Sequence, residues 1–123
     1  MNDEQEILDW TTGERGLAFQ DCGVCASRWA FQRRFCPRCG SNHLAMRQAS
    51  GRGRVEAVTT IHRAPTEALK SRVPYHIALV MLDEGIRVMG RGGAGLSIGT
   101  RVHALFIEEG GQILPCFEAD LAA

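Results

Sequence analysis

The sequence predicts a mostly β protein, an N-terminal zinc ribbon followed by a five-stranded barrel of the OB-fold class. Three observations lead there. Two Cys-x-x-Cys pairs, Cys22–Cys25 and Cys36–Cys39, flank a loop of ten residues. After residue 54, short apolar runs alternate with turn residues and almost nothing keeps a helical period. Between them lies Ser50-Gly51-Arg52-Gly53, a glycine hinge. The organisation expected is an N-terminal helical segment over 1–16, a ribbon over 17–49 and a barrel over 50–123.

Residues Asp3 to Trp10 suggest a short helix, with acids in the first turn suiting the positive end of its dipole. Ile7, Leu8 and Trp10 offer an apolar face, and a segment so short must dock on something to persist. Thr11-Thr12-Gly13 breaks it. Leu17 to Gln20 alternates as a strand leading into the first cysteine pair.

The cysteine pairs read as two knuckles closing on one tetrahedral metal, with Gly23, Pro37 and Gly40 placed for the tight turns this requires. Zn²⁺ bound by Cys22, Cys25, Cys36 and Cys39 is the expected structural cofactor. A rubredoxin-type iron site would use the same four sulfurs. Disulfides are the rival reading. The acidic start of the chain, without a secretory pattern, sets a reducing cytoplasm as the expected location and favours the metal. Trp29, Phe31 and Phe35 recur at period two, predicting a strand with one aromatic face between the knuckles.

Beyond the hinge, five strands are expected. Arg54 to Arg63 comes first, with Val55, Ala57, Thr59 and Ile61 on one face. Tyr75 to Leu82 is the second, and Asp83-Glu84-Gly85 turns into the third, Ile86 to Gly90. Gly92 to Gly99 is a connection without a helix. Arg101 to Glu108 and Gln112 to Phe117, joined by Glu109-Gly110-Gly111, complete the set. Five short strands of this kind match a small barrel. The run Gly90-Arg91-Gly92-Gly93-Ala94-Gly95 spells a dinucleotide fingerprint, but that pattern works only between a parallel strand and a helix, and here a strand follows.

Formal charge is zero, yet unevenly spread. Residues 22–54 hold Arg28, Arg33, Arg34, Arg38, Arg47, Arg52 and Arg54 and no acid. Such a patch has three readings: solvation of a four-thiolate site of net charge minus two, contact with nucleic-acid phosphates, or contact with a smaller polyanion. Whole-chain neutrality counts against a dedicated nucleic-acid binder. No apolar run approaches a membrane span. Cys116 lies in an apolar strand and reads as a buried thiol, His43 as exposed, and His62, His76 and His103 as strand residues without a triad. No paired carboxylates or nucleophile elbow stand out, so the chain alone is not expected to be an enzyme.

The ribbon, Ser50-Gly51-Arg52-Gly53, His62-Arg63-Ala64-Pro65, Pro74-Tyr75, Leu82-Asp83-Glu84-Gly85 and Leu114-Pro115-Cys116-Phe117 together resemble the DUF35 family, a rubredoxin-like zinc ribbon followed by an OB-fold. The resemblance runs from about Leu17 to Phe117. Gln32 and Cys116 depart from it, where the family often has proline and an aliphatic residue. It implies a non-catalytic accessory subunit of a thiolase-like enzyme that makes or breaks carbon–carbon bonds in acyl-CoA. The partner would carry the catalytic residues in a hetero-oligomer, with a heterotetramer the natural stoichiometry. This chain would complete the substrate channel and contact CoA through Arg33, Arg34, Arg52 and Arg54, with Trp29 and Phe31. The alternative function is a single-stranded nucleic-acid-binding protein of ribbon and OB-fold.

Overall fold

Alternation in Tyr75–Leu82 sets the barrel. Ala78, Val80 and Leu82 are buried, while Tyr75, Ile77 and Leu79 point to the other face. In the computed structural model, which describes residues 6–67, 70 and 73–120, two sheets form. The first has the order β2-β1-β3, with β1 Ala18–Cys22, β2 Arg28–Trp29 and β3 Leu44–Gln48, all antiparallel. The second is a closed barrel of β4 Arg52–Ile61, β5 Tyr75–Leu82, β6 Arg87–Gly92, β7 Arg101–Glu109 and β8 Gln112–Ala119.

Its order is β4-β5-β6-β8-β7, closing back on β4. All neighbours are antiparallel except β6 and β8, which run parallel and pair at Arg91–Cys116 and Gly92–Phe117. This is the OB-fold arrangement expected. The segment 93–100 contains turns and no helix.

Val55, Val80, Leu82, Val88, Val102 and Phe117 fill the barrel, and Leu17, Phe19 and Ala49 belong to the same apolar cluster. Each such side chain contributes about 1.5–3 kcal/mol when withdrawn from water. The root of the ribbon and the barrel therefore share one core. Arg28 strengthens the junction: its guanidinium lies 5.3 Å from the Phe19 ring centre and donates to the Glu84 carbonyl at 2.9 Å. Glu84 Oε2 in turn accepts from the Ser50 N–H at 2.7 Å.

Three expectations need correction. The helix over 3–10 does not form across residues 6–9, residues 1–5 lying outside those described; a single 3-10 turn, Trp10–Thr12, stands instead. Asp9 caps it through the Thr11 N–H at 2.9 Å, and the Leu8 backbone is bound by the Gln48 amide, which holds the chain extended. The strand between the knuckles shrinks to Arg28–Trp29, and Phe31 and Phe35 are exposed rather than sharing a packed face. Finally, Val55, Ala57, Thr59 and Ile61 do not share a face. A bulge at Glu56 makes Val55 oppose Val80 while Ala57 opposes Leu79, so Val55 points inward and the other three outward.

Candidate metal centre

Cysteine spacing alone would leave four thiols near one another; the backbone brings them to a point. All four Sγ atoms lie within 4.8 Å of one another. Cys22 and Cys39 are 3.6 Å apart, as are Cys25 and Cys36. The two knuckles repeat one geometry. Val24 N–H meets Cys22 Sγ at 3.4 Å, and Arg38 N–H meets Cys36 Sγ at 3.3 Å. Ala26 N–H bonds the Cys22 carbonyl at 3.0 Å, and Gly40 N–H the Cys36 carbonyl at 2.9 Å. Cys22 N–H and Cys36 N–H then bond the carbonyls of Ser27 and Ser41. Amides aimed at sulfur stabilise thiolate, the form a metal requires.

The thiols differ sharply in acidity. Cys25 is pushed down to about 6, first by the Ser27 hydroxyl, 3.2 Å away, and then by the Ser27 N–H. Cys22 is also lowered, chiefly by the Cys25 N–H. For Cys39 the Ser41 N–H lowers the value, but burial and the three neighbouring sulfurs outweigh it and push it up to about 12. Sulfurs this close cannot all ionise unaided, and a dication supplies the missing charge. Four converging sulfurs with no carboxylate among them fit a closed tetrahedral site, one that can hold a metal such as zinc.

Gln20 organises the remaining ribbon. Only 5% exposed, its Oε1 accepts from Trp29 Nε1 at 2.6 Å and the Arg33 N–H at 2.7 Å, while its Nε2 donates to the Arg33 carbonyl at 3.2 Å. Trp29 and the Arg33 backbone are thus brought together. Phe31 stands edge-on to Trp10, centres 6.1 Å apart, and Arg33 and Arg34 are exposed. Arg52 and Arg54 lie on the other sheet. Arg52 reaches Asp120 at 4.0 Å, and Arg54 lines a cavity of about 370 Å³ with Asp83 and Arg101. The six residues expected to meet a cofactor thus fall into two groups, one on the ribbon and one on β4.

Sequence reasoning missed Arg101, whose Nη1 and Nη2 both bond Asp83, at 2.8 and 3.1 Å. It also missed the pair Arg91–Glu109, 14% and 11% exposed at the side chains. Residues opposed across non-adjacent strands leave no local pattern. Cys116 is partly buried, and burial pushes its thiol up. Among the histidines, His43 is exposed, His76 Nδ1 lies 3.1 Å from Thr60 Oγ1, and His103 stands 3.9 Å from Asp120. Among the described residues no helix is long and apolar enough to cross a membrane.

Comparison with known proteins adds a second line. Residues 46–106 match the family model for the ChsH2 C-terminal OB-fold domain. A DUF35 domain-containing scaffold protein of Methanocaldococcus jannaschii is 31% identical over 98 residues, covering 74% of this chain and 69% of that protein. A probable enoyl-CoA hydratase alpha subunit of Thermomonospora curvata is 34% identical over 76 residues, covering 62% of this chain but only 23% of that longer protein. Among solved structures, a chain of the Ltp2-ChsH2(DUF35) aldolase superposes with a TM-score of 0.71 at 29% identity, over 85% of this chain and 84% of that one.

Proposed function

This chain belongs to the DUF35 family, and on that premise we propose that it is a non-catalytic subunit that docks on a thiolase-fold enzyme acting on acyl-CoA. The catalytic cysteine and histidines belong to the partner, and this chain completes the substrate channel in a reducing cytoplasm. Zinc held by Cys22, Cys25, Cys36 and Cys39 cross-links the two knuckles and supplies fold, not chemistry. The observation that carries this reading is the likeness, at 29% identity and over most of both chains, to a component of the Ltp2-ChsH2(DUF35) aldolase.

The chain's own contribution is positional. Arg33 and Arg34, exposed on the loop that Gln20 pins, and Arg52 and Arg54 on β4 offer guanidinium groups to CoA phosphates or to acids of the partner. Trp29 and Phe31 flank the first pair. The ribbon segment, 17–49, and the barrel, 50–123, form the two arms of one docking body.

The experiment is affinity isolation of the tagged full-length chain from its native cells, followed by native mass spectrometry and acyl-CoA assays. A stoichiometric thiolase-fold subunit, active on acyl-CoA only with this chain bound, is expected. Turnover of an acyl thioester by the chain alone would sink the reading, as would salt-sensitive retention on single-stranded DNA or RNA with no protein partner.

A further inference from the structure

Bonding across the barrel fixes which backbone groups of β4 meet β5. Asp83 N–H donates to the Arg52 carbonyl at 2.9 Å, whereas Leu82 N–H donates to the Ile86 carbonyl, away from β4. Antiparallel strands alternate in this respect. Leu79, Ile77 and Tyr75 therefore turn their backbone towards β4, where they oppose Ala57, Thr59 and Ile61. Val58 and Thr60, opposite Ala78 and His76, turn their N–H and C=O groups the other way.

On that other side β4 has lost its neighbour. Pairing with β7 stops at Arg54–Arg101, and Val55 makes the last bonds, to Thr100 and Gly99. Among the described residues no backbone group bonds the outer edge of Val58 or Thr60, and Ala57 to Thr60 are exposed. Ala57 to Ile61 holds no charged residue and no proline, the usual guards of a free edge. Beside the edge lies a hollow of about 290 Å³, lined by Val58 and Thr60 and by Gly93, Gly95 and Leu96 of the loop after β6.

We infer, resting on the accessory-subunit reading, that this edge receives an extended segment of the catalytic partner, which adds a strand to β4 by exchanging backbone bonds with Val58 and Thr60. Donors and acceptors set out in this alternation are the complement of another extended backbone, and main-chain bonds then supply the affinity. The hollow favours a lone segment over a second copy of this chain. What pairs with β4 lies between it and the glycine loop. One strand residue fills roughly 160 Å³, taking the spacings between strands, between layers and along the chain. The hollow therefore takes a short single strand, not the two side by side that a second β4 with its own β5 would bring.

Hydrogen exchange on the full-length chain reads the edge directly. In the free protein the Val58 and Thr60 amides are expected to exchange at least tenfold faster than that of Thr59. Equal protection would overturn the inference, because the edge would already be filled. In a complex with a thiolase-fold subunit, isolated from native cells, both amides are expected to slow at least tenfold. Thr60→Pro removes the outward N–H without touching a bond to β5. It is expected to retain at least tenfold less of that subunit, at wild-type metal content and circular dichroism. Thr60→Val loses the hydroxyl 3.1 Å from His76 Nδ1 but keeps the N–H, and retains the subunit fully. A stoichiometric thiolase-fold complex that leaves Val58 and Thr60 unprotected overturns the edge and leaves the accessory-subunit reading intact, whether or not Thr60→Pro folds. Equal loss by Thr60→Val overturns backbone pairing, and protection of both amides in a dimer of this chain alone overturns the occupant. If the wild type holds a different, identified protein that protects both amides, the edge stands and the thiolase reading falls. If it holds no protein, both fall.

Discussion

Ala26 occupies in the first knuckle the backbone position that Gly40 occupies in the second. Both N–H groups close on the carbonyl of the leading cysteine, and both residues lie in the left-handed region, Ala26 at φ 65° and Gly40 at φ 80°. A Cβ there is strained by about 1–2 kcal/mol, which glycine avoids. Ala26→Gly therefore raises stability by a net of about 0.5–1 kcal/mol, after the extra freedom glycine adds to the unfolded chain. Thermal unfolding of the metal-loaded protein reads it, and an unchanged or lower midpoint contradicts it.

Gln20 carries three bonds inside the ribbon, so losing its amide strands the Trp29 and Arg33 donors. Gln20→Ala is expected to cost about 1–3 kcal/mol. Tryptophan emission should change as the Trp29 indole loses its acceptor. A mutant with wild-type emission and midpoint would show that water replaces the amide at no cost.

Metal removal reaches beyond the ribbon. Because Leu17, Phe19 and Ala49 pack in the barrel's own cluster, chelation should lower the unfolding midpoint of the whole molecule in one transition. Two resolved transitions, with the barrel's unmoved, would mean the sheets are energetically separate. Cys36→Ser should reproduce the effect of the chelator.

Gly53 sits where β4 pairs with both β5 and β7. A Cβ there would lie 2.3 Å from the Met81 carbonyl oxygen and 2.8 Å from Leu82 Cα, both backbone atoms with nowhere to go. Gly53→Ala is expected to destabilise by at least about 2–3 kcal/mol, read as a lowered denaturant midpoint. The neighbouring Arg52→Ala, exposed, should change it little.

Arg101, first through its hydrogen bonds and then its charge, holds the Asp83 carboxyl below its ordinary value of 3.8, with Arg52 and Arg54 adding to the pull. A depressed folded-state value gives stability that is present above about pH 4 and fades as pH falls through the depressed value. Asp83→Asn should therefore make the stability profile shallower below about pH 4. At neutral pH it should cost little, because an exposed pair is well solvated. An unchanged acid limb would show that the pair contributes nothing.

The four-sulfur site and the barrel were legible because their signals are local. Cys22 to Cys39 declare themselves by spacing, and Tyr75–Leu82 as a strongly apolar run closed by the turn at Asp83-Glu84-Gly85. What stayed hidden depends on partners far along the chain. Gln20 reads as an ordinary strand glutamine until Trp29 and Arg33 fold onto it. The 3-10 turn at Trp10 arises because Gln48, forty residues from Leu8, binds the preceding backbone. Arg91 and Glu109 meet only because β8 brings β6 and β7 into one wall.

The inserted residue at Glu56 has an evolutionary consequence. Everything after it on β4 is rotated by half a pleat, which hands Ala57, Thr59 and Ile61 to the exterior beside Leu79, Ile77 and Tyr75. Deleting Glu56 itself would keep that arrangement, because Val55 would still oppose Val80 and Ala57, now its neighbour, would still oppose Leu79. A descendant could therefore shed the extra residue without turning this wall inward or rewriting a single core side chain.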